Sequence, residues 1–430
     1  MKNLSKTKTI IAAALALLLA VSAAGTFVIG VKAEIAPAWS VPAGYNANDY
    51  NKIAAFLETE DAAGVKNGAK LSSNYDSNSP ATWGVCYDPD YYIDMPTFSW
   101  EQFDGEYRVR RILVYDKQLV GDLDISGFSE LYYANCSANE IESVMLEGCT
   151  SLWTFDCYDN LLREIDVSVC PMLHFFRCDD NLLVELDVSA NPGLIQLTCS
   201  DNMLFDLDVS ANTSLEILDV SDNLLNGIDV SMLSNLDQLN VSDNDLYDGL
   251  DVSHNARLQV LRCSRTGLES VDLSHNTDLT GFYCVGNPIT EFDFHANDIL
   301  MLNTLRAEGS GTVGCEMNGW YTKVYAAPNE GASFEGWYDA NGNLISTRAE
   351  YEASELDGDH FIARFTASAA IPGDTDGNGS VTVADAILTL RYALGLVGES
   401  ALDLSAADMD GNGSVNVADA VSILRMAMFS

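Results

Sequence analysis

Two short acidic segments near the C-terminus hold the residues best equipped for chemistry. Asp374, Asp376, Asn378, Ser380, Thr382 and Asp385 stand at positions 1, 3, 5, 7, 9 and 12 of a twelve-residue stretch. Asp408, Asp410, Asn412, Ser414, Asn416 and Asp419 repeat the pattern 34 residues later. A calcium ion takes roughly six to eight oxygen ligands in a flexible cage. Carboxylates at positions 1, 3 and 12, an amide oxygen at 5 and a backbone carbonyl at 7 supply that donor set. Gly379 and Gly413, at position 6, permit the sharp turn the loop needs. Two such loops predict two bound calcium ions.

Each loop needs an element to hold it. Apolar residues at helical spacing follow both, over 386–394 and 420–428. Pro372 and Gly373 precede the first loop and make a poor entering helix. A loop with an exiting helix, duplicated over 373–430, resembles a type I dockerin, and the module is taken as 370–430. The resemblance implies an α-helical domain that docks in the presence of calcium to a cohesin domain of a scaffoldin, as in cellulosome-like assemblies. It also implies that Val383, Ala384, Leu390 and Arg391, with Val417, Ala418, Leu424 and Arg425, meet the cohesin. Familiar dockerins often carry hydroxyl residues at loop positions 10 and 11. The Val-Ala pairs here imply a more hydrophobic interface.

Most of the chain before this module is periodic. Asn139, Asn160, Asn181, Asn202, Asn223 and Asn244 follow one another at 21 residues, and Thr266 and Asn287 continue the row after one residue of slack near Tyr247-Asp248-Gly249. A unit such as Leu194, Leu197, Cys199, Asn202, Leu204 cannot bury its apolar side alone. Stacked units can, with one short strand each in a parallel sheet. The pattern resembles secreted bacterial leucine-rich-repeat proteins of the short-repeat type. The resemblance implies a solenoid over 123–305, ending in a degenerate unit at 292–302, with an N-terminal region and cap over 34–122 that begins with a helix near 47–57.

Six cysteines share one rung: Cys136, Cys157, Cys178, Cys199, Cys263 and Cys284, with Val220 and Val241 in the same place. Interchange with Val marks the thiol as a small hydrophobe. Side chains on strands about 4.8 Å apart are too distant for a relaxed disulfide. Cys149 and Cys170 share another rung and could bridge; Cys86 and Cys315 are unassigned. The strand positions beside the buried ladder face the concave side. Tyr133, Phe175, Arg177, Ile217, Val260, Arg262 and Tyr283 are the candidate binding residues there, either as protein-binding anchors or as scattered surface. Asp159, Asp180, Asp201, Asp222 and Asp243 form an acidic row beside the Asn row, read as a solvated edge, a calcium stripe or a cationic-partner site.

Residues 306–369 break the period. Short strand-like runs and the turn signal Asn341-Gly342 predict a small β module, similar to the internalin B-repeat. The N-terminal 1–33 reads as a signal peptide: Lys2, Lys6 and Lys8, an apolar run from Ile10, and small residues before a cut after Ala33. An uncleaved anchor is the alternative. With 63 acidic residues against 22 basic, the chain carries a net charge of −41, which repels nucleic acid and anionic membranes. No phosphate loop, zinc helix or nucleophile elbow is found, and no stretch remains for a hydrolase domain. The expectation is therefore a secreted, non-catalytic protein-binding component. A carbohydrate-binding accessory or adhesin is the second reading, and a polysaccharide-degrading enzyme a remote third.

Overall fold

A computed structural model describes residues 39–88, 93–294, 302, 304–318, 321–329, 331–353, 360–366, 372–377, 380–398 and 402–429. The expected signal segment lies outside them, as do Asn378 and Gly379 of the first loop. The chain forms two compact units. One runs to Gly267 and takes in His275–Leu279; the other comprises Leu268–Ser274 and the chain from Thr280 onward. Among the described residues no helix is long and apolar enough to cross a membrane.

Among the described residues, the first helix of the first unit is Ala47–Glu58, where the sequence places one. The Asn46 side chain caps it by accepting from the backbone N–H of Asn48 and Asp49. Its buried face carries Tyr50, Ile53, Ala54, Phe56 and Leu57, and Tyr50 packs against Trp83 and Trp100. Buried Asp49 takes two hydrogen bonds from the Arg108 guanidinium, at 2.8 and 3.1 Å. Arg108 lies on the second strand of an antiparallel hairpin, Phe98–Phe103 with Glu106–Leu113.

That second strand starts a parallel stack. Arg111 pairs with Tyr133, Tyr133 with Thr154, Thr154 with Phe175, and Phe175 with Gln196. The register continues through Ile217 and Gln238 to Val260. Each repeat gives a three-residue strand whose middle residue is buried, as in Phe155, Phe176, Leu197, Leu218, Leu239 and Leu261. The next rung inward holds Cys136, Cys157, Cys178, Cys199, Val220, Val241 and Cys263, all fully buried. The fold is a leucine-rich-repeat solenoid with repeats of about 21 residues, as the spacing predicts.

The recurrent Asn joins neighbouring repeats. The Asn202 amide donates to the carbonyls of Cys178, Cys199 and Ser200, and its oxygen accepts from Leu183 N at 3.0 Å. One buried side chain thus satisfies four backbone groups in two successive turns, which explains why the residue recurs. The acidic row has a local cause too. Asp159, Asp180, Asp201, Asp222 and Asp243 all adopt φ between 51° and 57°, a left-handed conformation that Asp and Asn tolerate better than most residues. The extra residue of the long repeat emerges as a bulge: Tyr247 is 76% exposed and Gly249 has φ of 85°, yet Gln238 still pairs with Val260.

In the second unit the strand Gly281–Cys284 runs antiparallel to Gly311–Asn318, which pairs in turn with Tyr321–Pro328 and then Glu350–Ala353. A separate sheet orders Glu291–Asp293, Thr304–Glu308, His360–Phe365, Phe334–Tyr338 and Leu344–Ser346. Trp337 and Phe361 fill its core. The expected turn at Asn341-Gly342 lies in a longer loop than a two-residue hairpin: Tyr338 pairs with Leu344, and the Asp339 carboxylate accepts from the N–H of Asn341 and of Asn343.

All ten cysteines are buried thiols, none of them in a disulfide. The possible Cys149–Cys170 bridge is therefore corrected: Cys149 Sγ instead donates to Ile125 O at 3.1 Å. Of the unassigned pair, Cys86 packs with Leu113 and Tyr133, and Cys315 faces Cys284 across the antiparallel strands.

Candidate calcium loops and ligand trough

Two helices follow the acidic loops, Val383–Ala393 and Val417–Phe429, and a short one, Leu404–Ala407, precedes the second loop. Small buried side chains, Ala386, Thr389, Ala420 and Ile423, supply the core of this module. Position 12 of each loop is also the third residue of the exiting helix. Thr382 and Asp385 therefore form a capping box: the Thr382 hydroxyl accepts from Ala384 N, and Asp385 accepts from Thr382 N at 2.8 Å. Asn416 caps the second helix the same way, accepting from Ala418 N at 2.8 Å, while Asp419 accepts from Asn416 N at 2.9 Å.

The same two carboxylates tie each loop closed. Asp385 accepts from Thr375 N at 2.8 Å, and Asp419 from Met409 N at 3.0 Å. Burial alone would raise the Asp385 carboxyl; hydrogen bonds from Thr382, Asp376 and Thr375 outweigh it and hold the group below its ordinary value. In the second loop Asp408 accepts from Gly413 N at 2.7 Å, and Gly413, at position 6, has φ of 81°. An L side chain there would be strained, as the sharp turn predicts.

These closures bring the acids together. Carboxylate oxygens of Asp374, Asp376 and Asp385 lie within 4.8 Å of one another, and so do those of Asp408, Asp410 and Asp419. Asp385 and Asp419 are buried, and Asp376 and Asp410 exposed. Three negative oxygens this close repel one another, and an all-oxygen cluster with an open side suits a hard divalent cation. The acidic clusters could hold ions, and the donor chemistry fits calcium.

Residues 372–426 match the family model of the dockerin type I domain. The chain carries a type I dockerin here. A dockerin implies a cohesin partner and bound calcium. No curated protein matches the chain. Among solved structures, the functional domain of InlJ from Listeria monocytogenes, described as including a cysteine ladder, is 33% identical over 41% of this chain and 44% of that one, with a TM-score of 0.38. An internalin of the same organism, InlF, is 19% identical over 44% of this chain and 57% of that one, with a TM-score of 0.38. YopM from Yersinia enterocolitica is 26% identical over 42% of this chain and 38% of that one, with a TM-score of 0.37. The chain spans less than two thirds of each.

On the dockerin, the eight residues expected to meet cohesin, Val383, Ala384, Leu390, Arg391, Val417, Ala418, Leu424 and Arg425, are all exposed. Ile387 on the first helix and Leu394 at its C-cap, and Val421 and Met428 on the second, extend the same two faces and are exposed as well. Sequence reasoning missed these four, although the spacing 383, 387, 390, 394 carries the signal and recurs 34 residues on.

The solenoid candidates divide. Phe175, Ile217 and Val260 share one half-buried row of the parallel sheet, and Arg177 and Arg262 share another. Tyr133 is not an exposed anchor: it is 8% exposed, its hydroxyl donates to Asp156 Oδ2, and the Arg111 guanidinium lies over its ring. It is shaded because the hairpin strand continues the sheet beside it. Tyr283 belongs to the second unit and faces Glu316 on an antiparallel strand. Around Phe175 and Arg177 the sheet forms a trough of about 510 Å³ that also takes in Arg110, Arg111, Tyr132, Trp153 and Glu101. None of these five was expected. Tyr132, Trp153 and His174 do recur at 21 residues, just before each strand.

Proposed function

We propose that this chain is a secreted, non-catalytic component that binds a protein through its solenoid and is held in a larger, cellulosome-like assembly by calcium-dependent docking to a cohesin. The dockerin match over 372–426, coincident with two clusters of three carboxylates, is the observation that carries it. In this proposal the domains are divided as the sequence suggests: signal peptide 1–33, cap 34–122, repeats 123–305, β module 306–369 and dockerin 370–430. The ligands are Asp374, Asp376, Asn378, Ser380, Thr382 and Asp385 for one ion, and Asp408, Asp410, Asn412, Ser414, Asn416 and Asp419 for the other. Val383, Ala384, Leu390 and Arg391, or their counterparts Val417, Ala418, Leu424 and Arg425, meet the cohesin.

The concave rows with Phe175, Arg177, Ile217, Val260 and Arg262 supply the surface for the solenoid's own ligand. The test uses the intact protein and a panel of cohesins. Binding should require calcium. Val383→Asp with Leu390→Asp should leave much of the affinity, and adding Val417→Asp with Leu424→Asp should abolish it. Cohesin binding that survives a chelator, or no binding across the panel, would refute the docking proposal.

A further inference from the structure

Asparagine followed by glycine is a pair prone to rearrange without an enzyme. The side-chain amide carbon can be rotated onto the next backbone nitrogen, and glycine has no Cβ to obstruct the approach. The chain has six such pairs, led by Asn67, Asn226, Asn318, Asn341, Asn378 and Asn412. The described residues include both members at Asn67, Asn226, Asn341 and Asn412.

In three of these four, hydrogen bonds hold the reaction off. Asn67 is fully buried. Its amide donates to Phe56 O and Val120 O, both at 3.0 Å, and its oxygen accepts from Val120 N at 3.1 Å. The side chain cannot turn toward Gly68 without breaking all three. In the other two the nucleophile is engaged. Gly342 N donates to Asp339 O at 3.0 Å, and Gly413 N to Asp408 Oδ2 at 2.7 Å. An N–H that donates to a carboxylate is harder to deprotonate. Asn412 Oδ1 is occupied as well, accepting from Ser414 N at 2.9 Å.

Asn226-Gly227 differs at both ends. Asn226 is exposed. Among the described residues, neither its side chain nor the Gly227 N–H has a hydrogen-bond partner. Only the Asn226 carbonyl is held, accepting from Asp248 N at 3.2 Å. That bond steadies the peptide plane between the two residues and leaves the side chain to turn above it. The pair lines an open groove of about 740 Å³ beside Phe205, Asp206 and Asp248, so water reaches it.

We infer that Asn226 is a self-modifying site that loses its side-chain amide by cyclising onto Gly227, with water as the only co-reactant. The Gly227 nitrogen bonds to Asn226 Cγ, the Cγ–Nδ2 bond breaks, and the Gly227 proton leaves with the amide as ammonia. Water then opens the cyclic imide: its hydroxyl stays on the carbonyl carbon attacked, and its proton returns to the nitrogen. Opening at Cγ gives aspartate. Opening at the backbone carbonyl carbon gives isoaspartate, with an extra carbon in the main chain. Either product adds a carboxylate to a groove already lined by five Asp residues. The lengthened main chain is accommodated on this side of the coil. The next repeat already absorbs a whole surplus residue at Tyr247-Asp248-Gly249 while Gln238 stays paired with Val260. The modification therefore changes surface charge and leaves the sheet in register.

The test ages the intact, calcium-loaded protein at warm, mildly alkaline pH. Each Asn-Gly peptide is followed by mass spectrometry, with fragmentation that tells isoaspartate from aspartate. Asn226 should convert about tenfold faster than Asn67, Asn341 or Asn412, because each of those must first break at least one hydrogen bond. Both isoaspartate and aspartate should form. In urea the advantage of Asn226 should vanish. Gly227→Ala should slow conversion sharply. Its added Cβ would meet Asp248 Cβ at 3.2 Å, so Asn226→Gln, which leaves the backbone untouched, is the second block and should stop conversion. The converted form, separated by its added charge on an anion exchanger, should melt with the fresh protein. Conversion no faster at Asn226 than at Asn412, aspartate without isoaspartate, or continued conversion in both variants would overturn the inference. A lower melting temperature of the converted form would overturn the claim that the sheet keeps its register.

Discussion

The solenoid and the dockerin are both built from units too small to fold alone, and they overcome this by opposite means. Each solenoid repeat borrows its neighbours: Asn202 satisfies backbone groups of two turns, and Leu197 and Cys199 are buried only because a repeat stands on either side. The dockerin has two copies of its unit and, among the described residues, a small core that includes Ala386, Thr389, Ala406, Ala407, Ala420 and Ile423. Its loops bring six carboxylates into two tight clusters, a cost rather than a gain until a cation arrives. Repetition stabilises the first region continuously; on the calcium proposal, the second waits for an external ion.

Removing calcium should separate the two regions most completely. With a chelator, circular dichroism should lose the helices Val383–Ala393 and Val417–Phe429, and calcium should restore them. Calcium at a hundredfold excess over its dissociation constant contributes about 2.7 kcal/mol per site. The solenoid's melting transition should not move, since the only acidic clusters of this kind among the described residues are those two. A shift of the solenoid transition would break the contrast.

Alkali should do the reverse. Burial pushes the thiols of Cys136, Cys149 and Cys170 up to about 12, and raises Cys157, Cys178 and Cys199 well above their ordinary value. A thiol raised in the folded state contributes stability that is fully present below its unfolded value of about 8.5. That stability is lost as pH rises toward the folded value. Each thiol should cost about 1.4 kcal/mol per pH unit in that window. Denaturant melts between pH 8 and 10.5 should show the solenoid weakening steeply. The dockerin, which has no cysteine, should not follow it.

Asn202→Ala should cost about 2–4 kcal/mol, because it strands several buried backbone groups at once. Hydrogen exchange should locate the loosening in the repeats on both sides of position 202, and a purely local effect would argue against neighbour-sharing. Smallest of all, Cys178→Val should cost less than about 1.5 kcal/mol, since Val220 and Val241 already occupy the same rung. In the native protein the ladder thiols should resist alkylation until denaturant is added.

Periodicity explains what was legible in advance. The Asn and Cys rows, the strand centres and the two acidic loops each repeat with the same residue in the same place, so one interpretation is checked many times over. What escaped lies where the repeat phase begins or where a pattern had been cut short. The strand Glu106–Leu113 continues the sheet without sharing the repeat signature, so the shading of Tyr133 and the placing of Arg110 and Arg111 could not be seen. Ile387 and Val421 lie outside the two pairs that the dockerin resemblance names, although both belong to the same helical spacing. The Asp row has a further property that its charge does not reveal, a φ of 51–57° repeated five times.

The bulge at Tyr247-Asp248-Gly249 has a bearing on how such a protein changes over generations. Copying errors in a tandem gene add and delete residues within units. Here one surplus residue is shed outward while Gln238 and Val260 stay side by side. Length can therefore drift on one side of the coil without re-indexing the rows of the parallel sheet. The two sides can be edited as if they were separate texts, one tolerant of insertions, the other of substitutions.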